Sequence, residues 1–173
     1  SAVLHPGCRF AASANAATAP DDQWRITPLI IWNHRWEHDK NPEAFMAALA
    51  AMRQRGIPFR VALLGQSYRR LPPALAEART ILGETLVHAG FVPDREDYAR
   101  WLVRGALVVS TALQENFGLA VVEAIRRGCL PLLPRRLSYP EIIPPDLHDA
   151  CHNREDRDLV EKLAQSLTRL PDY

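Results

Sequence analysis

From Pro28 onward the chain alternates short apolar runs with longer amphipathic segments. Uninterrupted apolar runs predict strands that are buried on both faces, as in parallel sheets. These runs lie at residues 29–32, 59–64, 85–88, 106–110 and 129–133. The other segments have apolar positions at helical spacing, with capping residues and glycines at their ends, and predict helices. They cover residues 41–56, 72–82, 94–103, 117–127 and 156–170. This alternation predicts an α/β fold, a doubly wound, Rossmann-like parallel sheet with helices on both faces.

The first residues of the chain differ from the rest in composition. The Ala-rich stretch AASANAATAP has low complexity and no periodic apolar pattern, which is typical of linkers. We interpret residues 1–27 as a linker or interdomain segment and residues 28–173 as one folded domain. A chain of 173 residues is long enough to bury a substantial core within a domain of ordinary size.

Composition and charge exclude several classes of protein. The formal net charge of +1 argues against a protein that holds nucleic acid by bulk positive charge alone. No apolar run approaches the ~18 residues that cross a bilayer, and no secretory signal is visible, so we expect no membrane partner. The odd set of cysteines, Cys8, Cys129 and Cys151, indicates a reducing compartment, and we therefore expect a cytoplasmic protein.

The common nucleotide-binding and hydrolase motifs are missing from the sequence. The chain has only 8 glycines and contains no G-x-G-x-x-G, no G-x-x-x-x-G-K-[ST] and no G-x-S-x-G. These absences argue against a dinucleotide cofactor in its usual pose, a P-loop NTPase and a hydrolase nucleophile elbow. Because sheets of this type bind ligands beyond the carboxyl ends of their strands, candidate residues should directly follow the strands.

A basic loop follows the first predicted strand. Within the string NHRWEHDK, Arg35 and Lys40 lie where this fold binds its ligand. A guanidinium fork together with an ammonium group suits an anionic ligand such as a diphosphate. The alternative is a solvated loop in which these cations pair locally with Glu37 and Asp39.

The same loop contains His34 and His38, four positions apart. On a helix this spacing ligates zinc, but here it lies in a strand-to-helix loop whose glutamate is misplaced for H-E-x-x-H. We favour a capping or substrate-contacting histidine and expect no metal. Asp156 and Asp158 form a D-x-D pattern, which we interpret as the acidic first turn of the last helix.

A second polar turn follows the fourth predicted strand and leads into a helix that is apolar almost all round. We expect that helix to be buried. Its N-terminus at Asn116, Phe117 and Gly118 is expected to present free backbone N–H groups and a positive dipole end, which suit a phosphate. Gly118 would let a ligand approach the backbone closely, and Glu115 lies at the edge of the same space.

Glu123 lies two turns further along this apolar helix. A carboxylate among apolar neighbours needs hydrogen-bond partners, and a vicinal diol, as on a ribose, would donate two such bonds. The alternative is an ion pair with Arg126 or Arg127, three and four residues further on. The sequence leaves both interpretations open.

A third candidate segment, HAGFVPD, follows the third predicted strand. Gly90 permits a sharp turn, the backbone of residues 90–93 could read the edge of a base, and Phe91 could pack on the face of that base. The alternative, which the segment favours when it is considered alone, is an ordinary strand-to-helix turn with Phe91 in the core.

With these residues identified, the chain resembles the C-terminal, nucleotide-sugar-binding half of a GT-B glycosyltransferase of retaining family 4. Glu115 and Glu123 match the E-x7-E motif of that family within QENFGLAVVEAIRRGCLPLLP. Arg35 and Lys40 match its R-x4-K diphosphate clamp, with His34 in place of the usual glycine. The strings LLGQS and HAGFVPDREDY match two further landmarks, and the resemblance extends over residues 28–170.

The resemblance implies a role for each matching residue. Glu115, Arg35 and Lys40 would act in catalysis, because the two cations would stabilise the diphosphate as the sugar leaves and Glu115 would address a sugar hydroxyl or the anomeric region. The cationic clamp would replace a metal, so no cofactor other than the donor substrate is implied. The implied donor-binding residues are Arg35, Lys40, Gly90, Phe91, Val92, Asn116, Phe117, Gly118, Leu119 and Glu123.

The strings IIWNHRWEHDKNPEAF and GCLPLLPRRLSYPEIIP are similar to a narrower group, the tRNA-queuosine mannosyltransferases. This similarity implies transfer of mannose from GDP-mannose to queuosine in tRNA(Asp). It also implies an N-terminal acceptor domain, absent from this chain, that would carry most tRNA contacts, so this half alone would bind donor with little or no transfer. UDP in place of GDP, another family 4 donor and acceptor, a non-catalytic nucleotide-sugar-binding module and a sugar-nucleotide epimerase are the alternatives.

Overall fold

The computed structural model describes residues 27–68 and 70–170, so the predicted linker, apart from Thr27, and Cys8 lie outside the described residues. The described chain forms a six-stranded sheet with strand order β3-β2-β1-β4-β5-β6. All of its strand pairs are parallel. This is the doubly wound order, and it confirms the predicted fold class. The strands are β1 (Leu29–Trp32), β2 (Arg60–Leu64), β3 (Leu86–Gly90), β4 (Leu107–Val109), β5 (Leu130–Pro134) and β6 (His152–Asn153).

Helices connect consecutive strands, as the predicted βαβ pattern requires. The described α-helices are α1 (Pro42–Gln54), α2 (Pro73–Ala76), α3 (Ala78–Leu82), α4 (Arg95–Arg104), α5 (Leu119–Arg126), α6 (Tyr139–Ile142), α7 (His148–Cys151) and α8 (Leu159–Arg169). Short 3₁₀ turns lie at His38–Lys40, Gly83–Thr85, Pro145–Leu147 and Asp156–Asp158. None of the helices in the described part of the chain is both long enough and apolar enough to cross a bilayer.

Two helix starts follow the predicted capping chemistry. The Asn41 side chain accepts a hydrogen bond from the Ala44 amide at 3.4 Å, and Pro42 occupies the first position of α1. The Asp94 carboxylate accepts from the amides two and three residues ahead, at 2.9 and 2.8 Å. These bonds satisfy N–H groups that have no partner within a helix, so the sequence determines locally where α1 and α4 begin.

The sheet is covered on both faces, which explains its uninterrupted apolar strands. Successive side chains of a strand point to opposite faces. Ile30 and Trp32 therefore pack in one core, with α1 and α8, whereas Leu29 and Ile31 pack in the other, with α4 and α5. All four of these side chains are buried, so β1 lies at the centre of the fold, between β2 and β4.

Several boundaries differ from the sequence prediction. The predicted helix 72–82 is divided between α2 and α3 because Glu77 adopts φ −90° and ψ 0° between them. The last helix begins at Leu159 rather than at Asp156, because residues Asp156–Asp158 form a separate 3₁₀ turn. No pattern in the sequence predicted α6, α7 or β6. These elements are only two to four residues long, too short for hydrophobic periodicity to reveal.

Two expectations about α5 were wrong. The helix begins at Leu119 rather than at Phe117. Gly118 has φ +66°, in the left-handed region, so it cannot be part of a right-handed helix and ends it on the N-terminal side. The helix is also not buried all round: only Val121 and Ala124 are fully covered, and Leu119 is 41% exposed. One face of α5 packs on the sheet while its N-terminal turn projects beyond the sheet edge.

Candidate functional site

The loops that follow β1 and β4 are joined by hydrogen bonds. The carbonyl oxygen of Asp39 accepts from the amides of Leu113 and Gln114 at 2.8 and 3.2 Å. The Thr111 hydroxyl donates to the carbonyl oxygen of Lys40 at 2.8 Å. The strand order reverses between β1 and β4, and doubly wound sheets bind their ligands at that crevice. The structure thus brings the first two predicted segments together at the expected place.

Arg35 and Lys40 converge on one carboxylate oxygen. Lys40 Nζ lies 3.1 Å from Asp39 Oδ2, and Arg35 Nη2 lies 3.6 Å from the same oxygen. The two cations differ in burial, since the Lys40 side chain is 7% exposed and that of Arg35 is 61% exposed. The alternative of local pairing is therefore correct for Asp39, whereas Glu37 instead accepts from the backbone amide of Tyr68 at 3.1 Å.

The turn that was expected to offer free N–H groups is occupied by the carboxylate of Glu115. Glu115 Oε1 accepts from the amides of Asn116, Phe117 and Gly118 at 3.0, 3.3 and 3.1 Å. The expectation of free amides was therefore wrong, because the side chain that precedes the turn folds back over it. The amides do form the predicted anion-binding turn, and the anion that they bind is part of the same chain.

Glu115 also contacts the buried lysine. Lys40 Nζ donates to the Gln114 carbonyl oxygen at 2.6 Å and lies 3.3 Å from Glu115 Oε2. Burial on its own raises the pKa of Glu115, but the amide of Gly118 and the positive charge of Lys40 outweigh it and hold that pKa below its ordinary value. Glu115 is therefore ionised at neutral pH, and one carboxylate links the lysine to the amide turn.

Gly118 is close to side chains of this protein itself. A Cβ atom on Gly118 would lie 2.7 Å from Ile142 Cδ1 and 3.2 Å from Tyr139 Cε1. The close approach expected of a ligand is thus made here by α6. Together with the positive φ, this contact explains why the position requires glycine.

Glu123 lies in a second polar cluster, which sequence reasoning did not find. The hydroxyl of Tyr98, on α4, donates to Glu123 Oε2 at 3.4 Å. The side-chain amide of Asn33, the first residue after β1, donates to the Tyr98 hydroxyl at 2.9 Å and to the Ala120 carbonyl oxygen at 2.7 Å. The position of Asn33 after a central strand was a usable signal, and so was that of Tyr98, the last residue of the matched string HAGFVPDREDY.

The third candidate segment is an exposed turn rather than part of the core. Phe91 is exposed, whereas Val92 is half-buried and packs against the core beside α4 and α5. The carbonyl oxygen of Gly90 already accepts from the Gly65 amide at 3.0 Å. The alternative that placed Phe91 in the core was therefore wrong, and its ring is accessible at the same sheet edge as the exposed side chain of Phe117.

The two histidines of the first loop lie in different surroundings. His34 is buried, and its Nε2 donates to the Val109 carbonyl oxygen at 3.3 Å. Burial, with the nearby charge of Lys40, lowers the pKa of His34 to about 4. The His38 side chain is 69% exposed and lies 3.7 Å from Glu43. The Nε2 atom that donates to this carbonyl carries a proton, and the lowered pKa keeps the ring neutral at neutral pH, so His34 joins the loop after β1 to β4 as a neutral side chain.

The D-x-D segment has structural partners. Asp156 accepts from the Asn41 side chain at 3.1 Å and lies 3.7 Å from Arg136. These contacts join the last 3₁₀ turn to the start of α1, in agreement with the structural interpretation. Within residues 27–68 and 70–170, no group of three or more His, Cys, Asp or Glu side chains is arranged to hold a metal ion.

Comparison with known proteins gives a consistent result. A family model described as "Glycosyl transferases group 1" matches residues 23–170. The chain is 42% identical over 117 residues to the tRNA-queuosine alpha-mannosyltransferase of Drosophila melanogaster, covering 68% of this chain and 31% of that protein. It is 26% identical over 135 residues to a GDP-mannose-dependent alpha-(1-6)-phosphatidylinositol dimannoside mannosyltransferase of Mycobacterium tuberculosis, covering 77% and 34%. The chain thus spans about a third of the length of the curated relatives it matches.

Solved structures show the same fold. The C-terminal domain of a glycosyl transferase group 1 family protein from Francisella tularensis has a TM-score of 0.70 and 20% identity, covering 88% of this chain and 84% of that one. The catalytic domain of cholesterol-alpha-glucosyltransferase from Helicobacter pylori has a TM-score of 0.66 and 20% identity, covering 84% and 90%. These likenesses confirm the predicted GT-B half, and because the family model extends over nearly the whole described fold, the chain belongs to the group 1 glycosyl transferases.

Proposed function

We propose that this chain is the donor-binding half of a retaining glycosyltransferase that transfers mannose from GDP-mannose to queuosine in tRNA(Asp). The observation that carries the proposal is the convergence of Arg35 and Lys40 on one oxygen of Asp39, at the crevice where the strand order reverses. Two cations that already share one anionic oxygen are arranged to share the oxygens of a diphosphate. The names of both relatives include a mannosyltransferase activity, and one includes GDP-mannose.

In this proposal the donor diphosphate replaces carboxylates as the partner of the two cations. Lys40 is held by a carbonyl oxygen at 2.6 Å, so its ammonium is already positioned for the diphosphate. The exposed guanidinium of Arg35, which forms a long ion pair with Asp39 at 3.6 Å, turns onto the diphosphate at little cost. Negative charge grows on the leaving diphosphate as its bond to the sugar breaks, and the two cations stabilise that charge in place of a metal ion.

Glu115 must move for this to happen. The amides of Asn116, Phe117 and Gly118 donate to its carboxylate, so a phosphate that uses these amides displaces Glu115 from them. The displaced carboxylate then lies at the mouth of the same turn, within reach of the sugar that the diphosphate carries. In this arrangement Glu115 addresses a sugar hydroxyl or the anomeric region.

The rest of the donor extends along the same sheet edge. Glu123 accepts from the ribose hydroxyls, and the segment of Gly90, Phe91 and Val92 borders the base, with the exposed Phe91 ring on its face. Leu119 is the first residue of α5 and lies between Glu115 and Glu123 along the chain, and in this arrangement its exposed side chain contacts the donor.

This half alone is expected to bind donor but not to complete the reaction. The aligned segment makes up only about a third of each relative, and in a two-domain architecture the acceptor lies on the other half of the cleft. We propose that the remaining part of the protein holds the tRNA. Transfer of labelled mannose to queuosine-containing tRNA by this chain alone should therefore be near background, and robust turnover would show that this division of roles is wrong.

Calorimetric titration tests the donor assignment. GDP and GDP-mannose should bind the chain with similar affinity, because the clamp acts on the diphosphate, and the proposed choice of donor requires that both bind more tightly than UDP and UDP-glucose. Binding of none of the four nucleotides would refute the proposed function. A preference for UDP-glucose would refute the choice of donor while leaving the nucleotide-sugar site in place.

A further inference from the structure

Two residues that are not among the proposed donor-binding residues are connected to Glu123, one directly and the other through the first. Tyr98 lies on α4, and its hydroxyl is 3.4 Å from Glu123 Oε2. Asn33 directly follows β1, is 5% exposed, and lies 2.9 Å from the Tyr98 hydroxyl through its Nδ2 atom. These contacts connect the central strand, α4 and α5 at the point where Glu123 projects.

The direction of each hydrogen bond in this cluster is fixed by chemistry. Asn33 Nδ2 lies 2.7 Å from the carbonyl oxygen of Ala120. A carbonyl oxygen only accepts, so this atom is the amide nitrogen, and its second proton points to Tyr98. The Tyr98 oxygen is therefore an acceptor from Asn33, and its single proton is left for the carboxylate of Glu123.

The cluster also keeps its protonation state and leaves acceptor capacity on the carboxylate. Burial raises the pKa of Tyr98 to about 12, so the phenol retains its proton throughout the physiological range. At 3.4 Å the contact to Glu123 is longer than an ordinary O–H···O bond. The Tyr98 hydroxyl thus orients the Glu123 carboxylate through a long hydrogen bond, and a carboxylate has enough lone pairs to accept from two further hydroxyls.

We propose that Asn33 and Tyr98 are positioning residues that orient the Glu123 carboxylate for the vicinal diol of a ribonucleotide. The proposal rests on the proposed function, because it requires a nucleotide at this sheet edge. Asn33 fixes Tyr98, and Tyr98 fixes Glu123, so the residue that directly follows the central strand determines where the carboxylate lies. Discrimination between a ribose and a sugar without the diol then depends on Tyr98 although Tyr98 itself does not touch the ligand.

A purely structural role is the competing explanation. Tyr98 packs against the core on the α4 and α5 side of the sheet, so removing its hydroxyl could weaken every ligand equally by loosening α4. The two explanations differ in one respect: a positioning residue affects only ligands that have the diol, whereas loose packing affects ligands with and without it.

The experiment compares Tyr98→Phe with the parent chain for two probes, GDP and 2′,3′-dideoxy-GDP. We assign the long hydrogen bond from Tyr98 to the Glu123 carboxylate about a fivefold change in affinity. Tyr98→Phe should therefore raise the Kd for GDP about fivefold and leave the weaker Kd for the dideoxy nucleotide unchanged. Tyr68→Phe is the matched control, because it removes a hydroxyl from an exposed tyrosine outside the cluster. This variant should bind both probes like the parent.

A double-mutant cycle with Glu123→Gln tests whether Tyr98 acts through Glu123. In the Glu123→Gln background the Tyr98→Phe change should have little further effect on the Kd for GDP, because the group that it orients has lost its charge. Equal weakening of both probes by Tyr98→Phe, an unchanged Kd for GDP, or multiplying effects in the cycle would each overturn the positioning role alone. Failure of the parent to bind GDP would instead overturn the proposed function, and this inference with it.

Discussion

Replacing Arg35 by alanine separates donor binding from folding more cleanly than any other change at the site. The Arg35 side chain is 61% exposed, and its ion pair with Asp39 is long, at 3.6 Å. Its loss should therefore lower the free energy of unfolding by less than about 1 kcal/mol. A hydrogen bond from a cation to phosphate contributes on the order of 1.5–3 kcal/mol. The Kd for GDP should therefore rise roughly 10- to 150-fold.

The assay is calorimetric titration with GDP, accompanied by urea unfolding of each variant. Arg100→Ala is the matched control, since Arg100 is similarly exposed and also pairs with a nearby aspartate, Asp97, yet lies outside the proposed site. It should bind GDP like the parent. If Arg35→Ala bound GDP as tightly as the parent while remaining folded, Arg35 would not contact the diphosphate and the clamp would be wrongly assigned.

Three further changes test other parts of the site. Glu115→Gln should tighten GDP binding by on the order of 1 kcal/mol, because the neutral amide competes less for the turn amides; weaker binding in calorimetry would contradict this displacement. Since the pKa of His34 is lowered to about 4, its stabilising effect is complete above pH 6.5 and is lost as the pH falls towards 4, by on the order of 3 kcal/mol. Urea unfolding between pH 7.5 and 4.5 should show that loss for the parent and for His38→Gln but a smaller loss for His34→Gln. If the free energy of unfolding fell equally with pH in all three proteins, the role given to His34 would be refuted. Gly118→Ala should destabilise the fold by about 1–3 kcal/mol more than Gly56→Ala, because both glycines have φ near +67° but only Gly118 has neighbours within 4 Å; equal melting temperatures would refute the steric argument.

The sheet could be predicted from sequence because its signals are local. The strand at Leu29–Trp32 is an uninterrupted apolar run, and Asn41 and Asp94 cap their helices through bonds to amides two or three residues away. Such patterns depend on neighbours in the chain. The exposure of Leu119 could not be predicted in this way, because it depends on which side of α5 meets another element, and that is decided by the packing of the whole fold.

The site was predictable in its residue types but not in its detailed bonding. The spacing of Arg35, Lys40 and Glu115 placed them on loops that meet at the strand-order reversal. The Glu115 side chain folds back so that its carboxylate accepts from the amide turn. That rotamer depends on contacts between the two loops, which no local pattern in the sequence predicts. Tyr98 was missed for a similar reason, since a tyrosine in the middle of an amphipathic helix is usually a packing residue.

The proposed donor site is formed by two loops, after β1 and after β4, that are far apart along the chain. Lys40 and Glu115 are 75 positions apart, and Asp39 is bonded to Gln114 across the same gap. An unfolded chain therefore has no such site, so a nucleotide that binds there stabilises only the native state. The free energy of unfolding rises by about 2.7 kcal/mol when the nucleotide concentration is one hundred times its Kd. In a cell this would make the abundance of the protein depend on the supply of sugar nucleotide, since copies deprived of donor would open more often and be degraded sooner.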